Sequence, residues 1–78
     1  MVHAYLFITA QKAQERQVAD AIGEFQTVKV AHVITGDIDV VAFIEAPDLS
    51  GVWDTVSQIQ AVPGVTRTTT SLVVEPSS

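Results

Sequence analysis

The sequence predicts an α+β fold in which a four-stranded antiparallel sheet carries two helices on one face. Three observations lead to it: four short runs rich in β-branched and aromatic residues, two segments with helical apolar spacing between them, and short connections throughout. The element order is βαββαβ, and right-handed crossovers put both helices on the same side of the sheet. This is the ferredoxin-like split βαβ arrangement.

The first strand is predicted over residues 2–9, because this run is apolar or aromatic almost without interruption. From Gln11 the composition changes to Ala, Gln, Glu, Lys and Arg, while apolar residues recur at helical spacing: Val18, Ile22 and Phe25. The spacing predicts an amphipathic helix over roughly residues 11–25.

The second and third strands are predicted over residues 28–35 and 39–46, which are rich in β-branched residues. The loop between them contains Gly36 and Asp37. Glycine adopts positive φ without a steric cost, so this pair between two such runs is typical of a β-hairpin. Strands two and three are therefore predicted to pair antiparallel.

The second helix is predicted to follow Pro47, with Asp48 as its N-cap, because a carboxylate can accept from the free N–H groups of the first turn. Apolar residues recur along it at helical spacing: Leu49, Val52, Trp53, Val56 and Ile59. This stripe is expected to face the core, and Trp53 is interpreted as part of it.

The fourth strand is predicted over residues 65–74, which are rich in Thr and Val. It follows the segment Val62-Pro63-Gly64, which ends the second helix. Residues 75–78 are expected to fray into solvent.

The composition excludes several kinds of function. The chain has 78 residues, so residues 1–78 are predicted to form one domain. It has no cysteine and two histidines, which argues against a zinc cluster, and no metal or other cofactor is expected. Nine acidic residues against four basic ones make direct nucleic-acid binding unfavourable. No apolar run is long enough to span a membrane and no secretory leader is recognisable, so a cytoplasmic location is expected.

The face of the sheet that the helices leave uncovered is predicted to be apolar. Alternation along the first and third strands separates an aliphatic set, expected under the helices, from a second set: Tyr5, Phe7, Val41 and Phe43. A chain this short buries only roughly 60% of its unfolded surface, and covering this second set adds stability of the order of several kcal/mol. We therefore expect a homo-oligomer that forms through the open sheet face.

Three segments together carry a resemblance that covers nearly the whole chain. They are residues 2–5 (Val-His-Ala-Tyr) at the first strand, residues 35–41 (Thr-Gly-Asp-Ile-Asp-Val-Val) at the hairpin, and residues 63–70 (Pro-Gly-Val-Thr-Arg-Thr-Thr-Thr) at the last strand. In this order they resemble the effector-binding domain of the Lrp/AsnC (leucine-responsive/asparagine regulator) family, also called the RAM domain.

The resemblance implies a transcriptional regulatory domain that dimerises through its sheets. It further implies dimers that assemble into rings, commonly octamers, with small effectors, usually amino acids, at the contacts between dimers. In that family a helix-turn-helix DNA-binding domain precedes this one. Because Met1 stands just before the first strand, the chain looks like the stand-alone form. Co-assembly with full-length family members is then a further implied partnership.

The resemblance also suggests the residues that hold an effector. Gly36 can bring backbone N–H groups close to a ligand carboxylate, although it also makes the turn. Asp37 and Asp39 can hold an ammonium group, or bond their own backbone as turn residues. Ile38 stands where the family usually has Tyr in Gly-x-Tyr-Asp, which removes any contact by a phenol. Two threonines on one face of the last strand complete the candidate set: Thr68 and Thr70.

No catalytic constellation is recognisable, and the chain is predicted not to be an enzyme. No serine has a histidine near it in sequence, and there is no glycine-rich phosphate loop. Two alternatives stay open. One is a dimeric α+β barrel enzyme of the monooxygenase or isomerase kind, which needs a polar cavity between sheet and helices; the other is an interaction module without a ligand.

Overall fold

The computed structural model describes residues 1–74 and confirms the predicted α+β fold. The strands are β1 (Val2–Ala10), β2 (Val28–Val33), β3 (Val40–Ala46) and β4 (Val65–Leu72), and the helices are α1 (Glu15–Gly23) and α2 (Leu49–Gln60). Their order along the chain is βαββαβ. The predicted fraying of residues 75–78 lies outside the described part of the chain.

The four strands form one antiparallel sheet in the order β2-β3-β1-β4. The predicted hairpin pairing of β2 with β3 is confirmed. The two central strands, β1 and β3, are those whose residues are apolar on both sides. Their register places Tyr5 opposite Phe43 and Leu6 opposite Ala42. Because directly opposite residues point to the same face, this register also assigns each face of the sheet.

The aliphatic side of the sheet lies under the two helices, as predicted. Seven residues of the central strands are at most 1% exposed there: Ala4, Leu6, Ile8, Val40, Ala42, Ile44 and Ala46. The helices contribute four more that are fully buried: Val18, Ile22, Val52 and Ile59. The core of the described chain therefore sits between the helices and one face of the sheet, and the other face is left without a covering layer.

Helix α1 is shorter than predicted, because its first and last predicted turns are held in other conformations. Ala13 has a φ of +68°, which is incompatible with a continuous helix through this residue. The Gln11 N–H donates to the Gly64 carbonyl at 2.8 Å, so a contact with a distant turn replaces the helical bond. At the other end the Phe25 N–H donates to the Ile22 carbonyl, which tightens the chain after Gly23.

Helix α2 begins at the predicted cap, where the Gly51 N–H donates to Asp48 Oδ1 at 2.8 Å. The expectation that Trp53 lies in the core is wrong, because this residue is 46% exposed. The buried stripe is centred on Val52, Val56 and Ile59, and position 53 lies about 100° around the helix from position 52. Thr55 is buried beside that stripe instead, with its hydroxyl bonded to Thr27 Oγ1 at 2.6 Å and to a backbone carbonyl.

The strand ends differ by one or two residues from the predicted ones. Strand β2 ends at Val33, and the Ile34 N–H closes the hairpin by donating to the Asp39 carbonyl at 2.9 Å. Strand β4 ends at Leu72, although the Val73 N–H still donates to the His3 carbonyl. Within residues 1–74 neither helix has the length and apolar character that crossing a membrane requires.

Candidate functional site

The uncovered face of the sheet carries the four residues that the sequence assigned to it. Tyr5 lies opposite Phe43, and Phe7 lies opposite Val41, on the side of the sheet away from the helices. Tyr5 is 44% exposed, and the other three side chains are half-buried. The Tyr5 and Phe43 rings pack with centroids 4.9 Å apart and planes tilted by 54°, a favourable aromatic arrangement. These four residues form what is called here the open face.

A groove of about 310 Å³ crosses the open face from β1 to β2. The residues that line it are mostly apolar: Tyr5, Val30, His32, Val41 and Phe43, together with Ala42, whose side chain lies on the helix side. No Asp, Glu, Lys or Arg lines it, so the charged ends of a free amino acid would have no counter-charge there. The groove therefore suits an apolar surface better than a zwitterion.

A hydrogen-bonded pair of side chains marks one end of the open face. The His3 and Glu45 side chains lie opposite each other on β1 and β3 and are joined by a hydrogen bond, Nε2 to Oε2, of 2.9 Å. The His3 ring also stacks on Phe43, with centroids 5.4 Å apart, and Lys29 Nζ lies 4.0 Å from Glu45 Oε1. The hydrogen bond from His3 is the main cause that lowers the pKa of Glu45 below 4.5, and the charges of His3 and Lys29 act in the same direction against partial burial.

Replacing Glu45 with Gln is expected to weaken the acid dependence of stability. A lowered pKa in the folded state stabilises the protein above pH 4.5, and this contribution is lost as pH falls through the lowered value. The slope of unfolding free energy against pH below 4.5, measured by urea denaturation, should be shallower in Glu45→Gln than in the original protein. Glu24→Gln removes one negative charge elsewhere and is the control. An unchanged slope in Glu45→Gln would contradict the role given to the pair.

The hairpin between β2 and β3 contains four of the predicted site residues. Gly36 has a φ of +113° and open space on its Cβ side, which suits both the turn and a close approach to its backbone. Asp37 is exposed and Ile38 is half-buried. Asp39 is held within the protein: its Oδ2 accepts from the Ala10 N–H at 2.7 Å, and its own N–H donates to the Ile8 carbonyl. The sequence suggested that this carboxylate either holds a ligand ammonium group or bonds the backbone of its own turn. The observed bond to the Ala10 N–H is a third role.

The two candidate threonines lie on the helix side of β4. Thr68 is opposite Ile8 and Thr70 is opposite Leu6, and both partners belong to the buried aliphatic set. The Thr68 hydroxyl accepts a hydrogen bond from Gln60 Nε2 at 3.0 Å. Strand β1 separates β4 from the hairpin side of the sheet, a span of roughly 10 Å over two strand spacings. The threonine pair and the hairpin therefore do not form one compact cluster within a protomer.

Sequence reasoning missed the contacts that join the loops at the hairpin end of the sheet. The Ala10 N–H is bonded to the Asp39 carboxylate, and the next N–H, that of Gln11, is bonded to the Gly64 carbonyl. These partners are 29 and 53 residues apart along the chain, and no local pattern predicts such pairs. The His3–Glu45 pair is different, because both residues were on the open side and the register of β1 with β3 would have revealed it.

Metal binding and buried polar chemistry each require particular arrangements of side chains. Among residues 1–74 no group of three or more His, Cys, Asp and Glu side chains could hold a metal ion. In the same residues the buried polar side chain is that of Thr55, and its hydroxyl is already hydrogen-bonded. Between sheet and helices the described residues pack apolar side chains, and the groove lies on the open face instead.

Comparison with models of known protein families shows to which family the chain belongs. The family model described as the Lrp/AsnC ligand binding domain matches residues 3–77. The chain belongs to this family. The matched model describes a ligand-binding domain, so ligand binding is the function class of this family. A search of curated proteins found no match.

Solved structures show how widely this Lrp/AsnC domain fold is shared. A protein from Thermus thermophilus has a TM-score of 0.93 and 29% identity, with 100% of this chain and 99% of that chain covered. Escherichia coli AsnC has a TM-score of 0.86 and 16% identity over 96% of this chain and 52% of its own. A transcriptional regulator from Neisseria meningitidis, solved in complex with L-Met, has a TM-score of 0.82 and 19% identity over 95% and 50%. This chain spans about half the length of the last two, and at these identities they show the fold alone.

Proposed function

We propose that this Lrp/AsnC domain, taken as one unit over residues 1–78, binds an amino acid or a similar small metabolite and transmits that binding through the assembly of its subunits. The observation that carries the proposal is the family match over residues 3–77. The L-Met complex of the Neisseria meningitidis regulator supports the ligand class, because that protein has the same fold. The domain acts as a binding module without enzymatic activity and without a cofactor.

The hairpin is the proposed contact for the effector. An amino acid needs donors for its carboxylate and an acceptor for its ammonium group. No atom lies within 4 Å of a Cβ built on Gly36, so a carboxylate has room to reach backbone N–H groups there. Asp37 offers an exposed carboxylate beside it and Ile38 an apolar contact, and Asp39, at the position of the family's acid, belongs to the same hairpin. Thr68 and Thr70 are proposed to complete the site from another subunit, because β1 separates them from their own hairpin.

The open face is the proposed dimer interface. Tyr5, Phe7, Val41 and Phe43 form a continuous apolar strip, and the adjoining groove has no charged lining. Interfaces favour aromatic side chains with few charges at the centre. Contact with a second copy of the chain is therefore more favourable for this face than contact with water. Further assembly of dimers into a ring such as an octamer, and co-assembly with full-length Lrp/AsnC regulators, follow the family pattern.

Effector binding and assembly are linked in this proposal. A ligand held between dimers shifts the population toward the assembly that it binds more tightly, by an amount set by its differential affinity. The domain then acts in the cytoplasm on transcription or amino-acid metabolism through its protein partners, with no direct contact to nucleic acid. The formal net charge of −5 is in keeping with such indirect action.

A thermal-shift screen with the twenty amino acids tests the proposal. An effector present at 100 times its Kd is expected to stabilise the folded protein by about 2.7 kcal/mol. Native mass spectrometry of the gently purified protein should show even-numbered assemblies, with added mass where an effector is retained. If no amino acid raises the melting temperature and no small molecule is retained, effector binding is contradicted and the domain is an interaction module.

A further inference from the structure

We propose that Asp39 is a positioning residue that fastens the β2–β3 hairpin to the junction between β1 and α1, and that it makes no direct contact with the effector. The inference deepens the proposed function and rests on it. Its starting observation is the hydrogen bond of 2.7 Å from the Ala10 N–H to Asp39 Oδ2. This length lies in the range of roughly 2.7–2.9 Å that is typical of strong, charge-assisted bonds.

Asp39 is held by its backbone as well as by its side chain. Its N–H donates to the Ile8 carbonyl at 3.0 Å, and its carbonyl accepts from the Ile34 N–H at 2.9 Å. With the bond to Ala10, this half-buried residue is connected to β1 twice and to the end of β2 once. Rotating Asp39 Oδ2 away from Ala10 to meet a ligand would break this bond, which is unfavourable for a partly buried donor.

The junction that Asp39 holds is also held from a second side. Residue Gln11 follows Ala10, and its N–H donates to the carbonyl of Gly64, in the turn between α2 and β4. A Cβ added to Gly64 would lie 2.6 Å from Gln14 Oε1, so the Gln14 side chain, just before α1 begins, lies beside this turn. Two successive amides of the junction therefore bind two different loops, the β2–β3 hairpin and the turn before β4.

This arrangement also indicates which acid of the hairpin would bind the ammonium group of the effector. Asp39 Oδ2 is bonded to the Ala10 amide and the residue is half-buried, so the exposed carboxylate of Asp37 is the acid of the hairpin that is more open to solvent. An amino-acid effector would then bind Asp37, and Asp39 would hold the loop that carries it. Asp39 would then influence effector binding by fixing the position of the hairpin, and its own charge would not act on the ligand directly.

Two substitutions at position 39 separate these roles. Asp39→Asn keeps an oxygen that can accept from Ala10 but has no charge for an ammonium group. Asp39→Ala removes the acceptor as well. The first readout is amide hydrogen exchange of Ala10 by NMR on the protein without effector. We expect exchange of Ala10 to rise about tenfold or more in Asp39→Ala and to change by less than about threefold in Asp39→Asn, in line with the loss or retention of one hydrogen bond.

The second readout is effector affinity, measured by titrating the amino acid that most stabilises the original protein. Asp39→Asn should bind it within about threefold of the original affinity, whereas Asp37→Asn should bind about tenfold or more weakly, as expected for loss of a charged hydrogen bond. If Asp39→Asn keeps Ala10 protected but loses the effector, Asp39 is a ligand contact and the inference is overturned. It is equally overturned if Asp39→Ala leaves Ala10 exchange unchanged.

Failure of the proposed function gives a distinguishable result. In that case no amino acid stabilises the original protein, while the exchange of Ala10 still reports whether Asp39 holds the junction. If the Asp39→Ala variant does not fold, the Asp39→Asn variant still tests the hydrogen bond between Asp39 and Ala10. A neutral acceptor in place of a charged one is expected to move the Ala10 amide proton resonance upfield, and an unchanged resonance would refute the bond.

Discussion

Replacing Phe7 and Phe43 together with Glu is expected to break the proposed open-face dimer and to leave a folded monomer. Both side chains lie on the open face, outside the core between the sheet and the helices, so the fold should survive the change. Two carboxylates per subunit in the centre of an apolar interface would have to be desolvated without partners. The lost apolar contact adds to this cost. The dissociation constant of the dimer is expected to rise by about a thousandfold or more.

Size-exclusion chromatography with light scattering measures this effect, and circular dichroism checks the fold. A matched control exists on α2, where Leu49 and Trp53 are each 46% exposed. Changing both to Glu removes the same number of large apolar side chains on the opposite side of the molecule, and the dimer should persist. An original protein that is monomeric at micromolar concentration, or a double Phe variant that stays dimeric, would refute the open-face interface.

Gly64→Ala is expected to lower the free energy of unfolding by about 2–4 kcal/mol, the sum of backbone strain and overpacking. Gly64 has a φ of +98°, a conformation that residues with a Cβ rarely adopt. A Cβ there would also lie 2.6 Å from Gln14 Oε1 and 3.0 Å from Val18 Cγ2. The Gln14 side chain can move aside, but Val18 is fully buried in the core and cannot. Urea denaturation gives the measurement.

Two other glycines provide the matched series. Gly36 has a φ of +113° with no atom within 4 Å of the added Cβ, so Gly36→Ala isolates the strain and should cost about 1–2 kcal/mol. Gly23, at the end of α1, has neither a positive φ nor a close contact, and Gly23→Ala should be neutral or slightly stabilising. A Gly64→Ala variant no less stable than Gly36→Ala would show that the contact with α1 is not tight.

The position of the open face was predictable from sequence, but its details were not. Alternation in β1 and β3 separates Tyr5 and Phe7 from Leu6, because successive residues of a strand point to opposite faces. That rule holds whatever the pairing of the strands. It does not determine which residues meet across strands, so the His3–Glu45 bond and the groove beside Val30 required the register.

The same division applies to the helices. Apolar spacing located α2 and its cap at Asp48, because both depend on neighbours within one or two turns. The spacing could not decide that Trp53 lies at the flank of the stripe and is exposed, since the rotation of a helix on a sheet is set by packing. Nor could it show that α1 begins only at Glu15, because the preceding residues are held by the Gly64 carbonyl.

By itself, therefore, the sequence determined the order of elements, the helix-covered and open faces of the sheet, and the family. These follow from local periodicity and from short motifs, which are properties of adjacent residues. The tertiary structure alone decided that the Asp39 carboxylate binds the Ala10 amide and that Thr68 and Thr70 lie apart from the hairpin. Such contacts join residues far apart in the chain, and they exist only when the strands have paired and the loops have closed around the core.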